Sequence, residues 1–299
     1  MSRRSLTIGL FCVLATLWGF SFLAIEVGLD SLEPVLFAAF RYDIAAILLL
    51  GYALVRGVDW RPGGRPDVAA ILGGGLFLIG GNGLLFVGQQ TVPSGLAAIM
   101  QSLVPVLTSL WALWLLPEER VSVVGAVGIL LGLLGVALIV RPDPSNLLGT
   151  DVVGRLLILA QAASVALGGV LVQRAEPTLG RAALSGWSML VGGVLLHLVS
   201  AGLGEPFALP ASGAGWAAVG YLGVFATAVA FLIYYTLLDV RGAVETSLVA
   251  YLVPVVATVA GVALLGESLT ATSVVGFLVV FAGFVLLKRR AIAALLGVV

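Results

Sequence analysis

Charge is what this 299-residue chain has least of. Only 10% of its residues are Asp, Glu, Lys or Arg, while 61% are hydrophobic, and the mean hydropathy is +1.17. Soluble domains carry about 25% charged residues, so a water-soluble globule could not hide this much apolar surface. Lipid must solvate most of the chain. The 15 basic and 15 acidic residues cancel, which leaves no broad basic face for a nucleic acid. The single cysteine, Cys12, excludes an intrachain disulfide and, in its apolar run, reads as a small hydrophobe. With one histidine, His197, there is no clustered His/Cys metal set and no Ser-His-Asp order. The glycines of "ILGGGLFLIGGNG" lie inside an apolar run, so they are not a phosphate loop. No enzymatic activity, metal or cofactor is expected. No gap between the apolar runs is long enough for a separate soluble domain.

What is present is a series of apolar runs, each near the ~20 residues that a membrane helix needs. Polar, Pro and Gly punctuation cuts the chain into ten: 6–27, 34–56, 67–88, 94–116, 121–140, 152–173, 182–203, 214–237, 243–265 and 270–288. "RPGGRPD", "RPDPSN" and "GEPFALPASG" mark three of the breaks. The predicted fold class is an all-α integral membrane protein of ten transmembrane helices.

Orientation follows from positive charge, which favours the cytoplasmic side. With the N-terminus inside, twelve basic residues fall on the inner side (among them Arg3, Arg4, Arg61, Arg120 and Arg289) and two, Arg141 and Arg155, outside. Both termini are then cytoplasmic, in a multi-pass cell-membrane protein. Arg3 and Arg4 read as the anchor of an uncleaved first span rather than as an export signal. Only Arg41 lies within a span.

The chain also repeats itself. "EERVSVVGAVGILLGLLGVALIVR" returns 148 positions later as "GESLTATSVVGFLVVFAGFVLLKR", with Glu119, Gly128, Gly135 and Arg141 meeting Glu267, Gly276, Gly283 and Arg289. Pro105 and Pro254 match at an offset of 149. Five spans fit each half, so residues 1–141 and 142–299 read as two five-helix units. An odd number of spans makes the second unit enter the membrane from the opposite side. Inverted-topology repeats of this kind are built for alternating access in secondary transporters.

"TLWGFSFLAIEVGL", "PVLFAAFRYDIAAILLL" and the two "P…E…G…G" endings resemble the EamA-type transporters of the drug/metabolite transporter superfamily, over essentially the whole chain. The resemblance implies ten helices, cytoplasmic termini, a central substrate cavity, and movement of amino acids, other metabolites or drugs, often outward. The second unit lacks the "WG" element near Ala166, and Ser188 stands where Arg41 would fall.

Polar and aromatic residues within the spans are the candidates for a site, because each needs a partner or a purpose in lipid. Asn82, Phe86 and Gln89 form one stripe, open to two readings: a cavity wall or an interhelical seam. Gln101, Pro105 and Thr108 share a face, as do Ser247, Tyr251, Pro254 and Thr258. The two prolines are candidate hinges or static kinks. Trp18 with Phe22, and Thr227 with Phe231 and Tyr235, supply aromatic walls of the kind that small-molecule sites use. Gln161 and Trp187 complete the substrate-binding candidates, with Arg41 and Asp43, which ~200° of helical rotation points to opposite faces. Asp43, His197 and Glu245 are the candidates for carrying a coupled proton. Spans five and ten are glycine-rich and read as packing helices, against lipid, the bundle or a second protomer, which leaves a homodimer through them open.

The leading function is secondary transport of a small-molecule substrate, with export of amino acids or similar solutes favoured over the alternatives. These are an organic-cation multidrug exporter and a non-transporting structural or scramblase-like protein. Arg41 offsets Asp43 and glutamine amides dominate, which favours zwitterions or neutral polar solutes.

Overall fold

The computed structural model describes residues 3–57, 59–116, 123–140, 150–268, 270–287 and 289. Among them the regular secondary structure is helical, with no strand. The helices are α1 (Arg3–Leu29), α2 (Pro34–Val55), α3 (Arg65–Gly88), α4 (Ser94–Leu115), α5 (Val123–Val140), α6 (Thr150–Ala175), α7 (Arg181–Leu203), α8 (Gly213–Thr246), α9 (Val249–Leu265) and α10 (Ala271–Leu287). Seven of these, α1–α4 and α6–α8, are long and apolar enough to cross a membrane, while Val249–Leu265 and Ala271–Leu286 are shorter apolar helices. Glu119 and residues 143–146, which the sequence reading uses for the repeat and the topology, lie outside the described residues.

Helix ends follow from local chemistry. Pro34 opens α2, where its missing N–H costs nothing. Gly204 closes α7 at φ +76°, a left-handed conformation that a side chain would strain. Two helix N-termini are held by a carboxylate from the other half of the sequence. Glu205 accepts the N–H groups of Val35 and Leu36 at 3.1 and 2.8 Å. Glu267 accepts those of Ser94 and Gly95, both at 2.9 Å. Each satisfies orphan donors and faces the positive end of a helix dipole. Asp67, in the first turn of α3, ties that helix to the segment ahead of α7 by accepting the N–H groups of Thr178 and Leu179 at 2.7 and 3.0 Å.

The helices pair in a pattern that survives exchange of the two halves. Helix α1 packs on α9, and α6 on α4; α3 packs on α6 and α7, and α8 on α1 and α2. Two further large pairs, α2 with α7 and α5 with α10, are their own images. Exchange of α1–α5 with α6–α10 thus maps these main pairs onto one another.

The repeated stretch therefore packs against its own copy. A methyl on Gly283 would stand 2.6 Å from Gly128 O, and one on Gly135 would stand 2.8 Å from Gly276 O, so backbone meets backbone along the α5–α10 seam. The glycine faces that left a second protomer open are turned on each other within the chain.

Several of the rods are not regular. Gly74–Ile79 of α3 and Tyr221–Val229 of α8, in corresponding places of the two halves, are wound as π-helix, and Gly261–Leu265 of α9 is wound the same way. Helix α8 also runs further than the sequence suggests, to Thr246, with a kink at Gly242 (φ 75°, ψ 171°). There Gln173 Oε1 takes the N–H of Ala243 at 2.7 Å.

Candidate functional site

The helices line a central cavity of about 100 Å³, open at its mouth. Its walls come from both halves: Trp18 and Phe22 of α1, Arg41 of α2, Asn82 of α3, Gln101 of α4, Gln161 of α6, and Phe231 and Tyr234 of α8. Among the described residues, no Asp or Glu lines it.

One wall is aromatic and cationic. Trp18, Phe231 and Tyr234 form a triangle with ring centroids 5.6 to 5.8 Å apart. Their geometry is edge-on or tilted, as ring quadrupoles prefer. The π-wound stretch of α8 turns the Ala226 carbonyl toward this corner. It accepts both the Trp18 indole N–H and an Arg41 Nη2 hydrogen, each at 3.2 Å. Arg41 Nε also donates to Thr227 Oγ1 at 2.5 Å, and the guanidinium carbon lies 5.2 Å from the Tyr42 ring centroid. Local irregularity of the helix thus fixes both the indole and the cation, a use to which π-turns are often put.

The facing wall is an amide ladder. Gln101 Nε2 donates to Gln161 Oε1 at 2.6 Å, Gln161 Nε2 donates to Asn82 Oδ1 at 3.1 Å, and Asn82 Nδ2 donates to Leu78 O at 2.7 Å. All three side chains are buried. The donors point one way, so the free end of the ladder is the acceptor Gln101 Oε1. Burial in a low-dielectric interior strengthens such a chain and makes any broken link costly.

Seven of the twelve substrate-binding candidates converge on the cavity: Trp18, Phe22, Arg41, Asn82, Gln101, Gln161 and Phe231. Five stand elsewhere. Asp43 turns away from Arg41, as their spacing requires, and its Oδ2 lies 2.7 Å from His197 Nε2 on α7. Phe86 is fully buried against Phe37. Trp187 stacks on Trp60 and donates to its carbonyl at 2.7 Å. Tyr251 packs among Phe277, Phe281 and Phe284 of α10. Tyr235 does not line this cavity, and its hydroxyl lies 3.5 Å from Ser188 Oγ. Of the remaining proton candidates, His197 is thus the partner of Asp43, and Glu245 lies 3.8 Å from Arg241 at the end of α8. Pro105 and Pro254 are both buried and neither lines the cavity, although their neighbours Val104 and Val253 do.

Sequence reasoning missed Tyr234, Val104, Val253 and Gly169 as lining residues. For Tyr234 there was a signal, because i+3 from Phe231 shares a face as well as i+4 does. Thr227, inside the π-wound stretch, holds Arg41, while Tyr234 and not Tyr235 faces the cavity with Phe231.

A second cavity of about 320 Å³ lies between α6, α7 and α8, lined by Gln173, Glu176, Arg181, Tyr235 and Asp239 among others. Arg181 pairs with Asp239 there. Tyr234 and Tyr235 meet edge to face at 5.6 Å, one lining each cavity.

The same architecture recurs elsewhere. A solved crystal structure superposes with a TM-score of 0.71 over 97% of this chain and 99% of its own, at 23% identity, which shows the fold. A protein of Escherichia coli K12 called "Uncharacterized inner membrane transporter YedA" is 36% identical over 265 residues, covering 88% of this chain and 84% of its own. An "Uncharacterized transporter" of Archaeoglobus fulgidus is 27% identical over 283 residues, covering 92% and 96%. The sequence profile of the EamA-like transporter family matches twice, over residues 5–141 and 152–289. With those two matches and that cavity, the chain belongs to the EamA-like transporter family, as a multi-pass membrane transporter.

Proposed function

We propose that this transporter crosses the membrane ten times, as two five-helix units (1–141 and 142–299) of opposite topology with both termini cytoplasmic. It moves small organic solutes by alternating access, with export of amino acids or similar molecules as its main task. The observation that carries the reading is the helix pairing that survives exchange of the two halves around one shared cavity. Two units related in this way can trade conformations, opening the cavity first to one side and then to the other. The excess of basic residues on one set of loops supports the orientation.

On that orientation the second cavity is the inner vestibule, since Arg181 and Asp239 sit at the inner helix ends. The Tyr234–Tyr235 pair is then the wall that must open inward. The organic-cation reading is less well served, because no carboxylate among the described residues lines the central cavity to hold a cation. Purified protein in proteoliposomes, assayed by counterflow of labelled amino acids, tests the proposal. Flux of one or more amino acids is the expected result, and no flux across a broad solute panel would overturn the transport of such solutes. Labelling of a cysteine at position 63 from the outside, in a Cys12→Ser background, would overturn the orientation.

A further inference from the structure

Arg41 is a cation without an anion. It is 4% exposed, in the middle of a membrane helix, and the groups around it are neutral: a threonine hydroxyl, a backbone carbonyl and a tyrosine ring face. Among the described residues it forms no salt bridge; the ion pairs lie at Arg181–Asp239 and Arg241–Glu245, and Asp43 lies against His197. The nearest acid in sequence, Asp43, points to the opposite face of α2 and is taken by His197. A buried charge held only by neutral dipoles is costly, and charges within membrane spans are found paired or on a solute path.

The guanidinium is also only half used. Nε and one Nη2 hydrogen are committed to α8, while Nη1 makes no hydrogen bond among the described residues. Its planar fork suits a carboxylate or similar oxyanion better than any point cation would. Arg41 lines the cavity and, among the described residues, no acid does, so the missing anion has room to come from a solute.

Resting on the reading of this cavity as the transport site, we propose that its obligatory recognition element is an acidic group on the solute, held by the free edge of the Arg41 guanidinium. Thr227 and Ala226 O are positioning groups: they fix the guanidinium on α8 so that the free edge faces the cavity. The apolar body of the solute lies against Trp18, Phe231 and Tyr234, which surround the same Ala226 carbonyl. Any hydrogen-bond donor on the solute meets Gln101 Oε1 across the cavity and is dispensable. The acid defines the substrate class, and an amine does not.

Matched pairs separate these statements. The probes are N-acetyl-leucine and N-acetyl-leucinamide, which differ in the acid and lack an amine, and leucine and leucinamide, which both carry one. Binding is read as thermal stabilisation of the full-length protein in nanodiscs at pH 7, and flux as counterflow in proteoliposomes. The expected result is that each acid stabilises at a concentration at least ~10-fold lower than its amide, as the loss of a charge-assisted hydrogen bond predicts. N-acetyl-leucine should bind although it has no ammonium. Arg41→Gln should abolish the difference within each pair, and Arg41→Lys should restore part of it. Amides that bind as well as acids, acid preference that survives Arg41→Gln, or binding that requires the amine would overturn the inference. If Arg41→Gln fails to fold, the pairs on the unaltered protein still decide. Acid-selective binding without flux of any solute would leave the inference standing and overturn the transport of these solutes instead.

Discussion

Arg41 on α2 and Ser188 on α7 occupy corresponding places in the two halves, and each faces the π-wound stretch of the other half. Arg41 reaches Thr227 and Ala226 O on α8. Ser188 meets Gly74 and Gly75 on α3, where a methyl on Gly74 would stand 2.7 Å from its Oγ and one on Gly75 would stand 3.0 Å from its carbonyl. The backbone geometry is shared and the chemistry is not. One crossing is opened by a long cation and its polar support. The other is closed by glycines and small side chains, which allow close approach. A symmetric scaffold thus carries an asymmetric site, and the asymmetry is written in a few side chains at matched positions.

The largest expected effect comes from forcing the two crossings to be alike. Ser188→Arg would force a long charged side chain against Gly74, Gly75 and the buried Tyr235, at a position where Ser188 itself is fully buried. An uncompensated buried charge costs about 3–5 kcal/mol, so the variant should lose monodispersity in detergent and melt far below the parent. Ser188→Ala, which removes only a 3.5 Å contact to Tyr235, should melt close to the parent. A stable, active Ser188→Arg protein would show that the two crossings are interchangeable and that the comparison is wrong.

Next in size is the support of Arg41. Thr227→Val keeps the shape and removes the hydroxyl that accepts from Nε. A buried donor left without its acceptor costs about 1–3 kcal/mol, equivalent to ~5–150-fold in an equilibrium constant. Flux of whatever solute the counterflow assay identifies should fall by about that factor, with correct membrane insertion. The loss should appear as weaker solute affinity. Flux unchanged from the parent would mean that Arg41 does not need α8 to hold its fork.

The amide wall can be dissected in the same way. Gln161 both accepts from Gln101 and donates to Asn82, while Gln101 makes a single link. Gln161→Leu should therefore cost more thermal stability than Gln101→Leu, each within about 1–3 kcal/mol for each orphaned group. Equal losses, or the reverse order, would show that the three amides do not act as one chain.

How much of this was legible in the sequence differs between scaffold and site. The helices were readable because a 20-residue apolar run has few other fates in a chain that lipid must solvate. The two-fold arrangement was readable because Glu, Pro and Gly recur in order. The buried amides Asn82, Gln101 and Gln161 were readable as candidates, since polar groups in spans are rare and each needs a reason. That they bond to one another was not, because the ladder joins α3, α4 and α6 and only the fold brings these together. Asp43 misled for the same reason: its partner lies 154 positions away, on α7. Tyr235 misled because Tyr234 and Tyr235, at i+3 and i+4 from Phe231, share its face equally by periodicity, and only the fold shows which one lines the cavity. The carboxylate clamps of Asp67, Glu205 and Glu267 went unnoticed, being acids near helix ends whose targets are backbone N–H groups distant in sequence.

The smallest effect is expected at the pair that looked most suited to carry a proton. Asp43 and His197 join α2 to α7, and their side chains are 37% and 33% exposed on a side of these helices that does not line the cavity. Hydrogen bonds between membrane helices average only ~0.6 kcal/mol in double-mutant cycles. Asp43→Asn and His197→Gln should accordingly leave the melting temperature within a few degrees of the parent and the flux unchanged. A proton taken up there would lie away from the central cavity, and the contrast with Arg41, which lines that cavity, can be put to a direct test. Transport should be measured against an imposed pH gradient for the parent and both variants. The expected outcome is three identical responses, whatever the size of the parent's own. A response present in the parent and lost in Asp43→Asn or His197→Gln would place coupling in this pair, at a distance from the bound solute, and the working asymmetry of the molecule would then extend beyond its cavity.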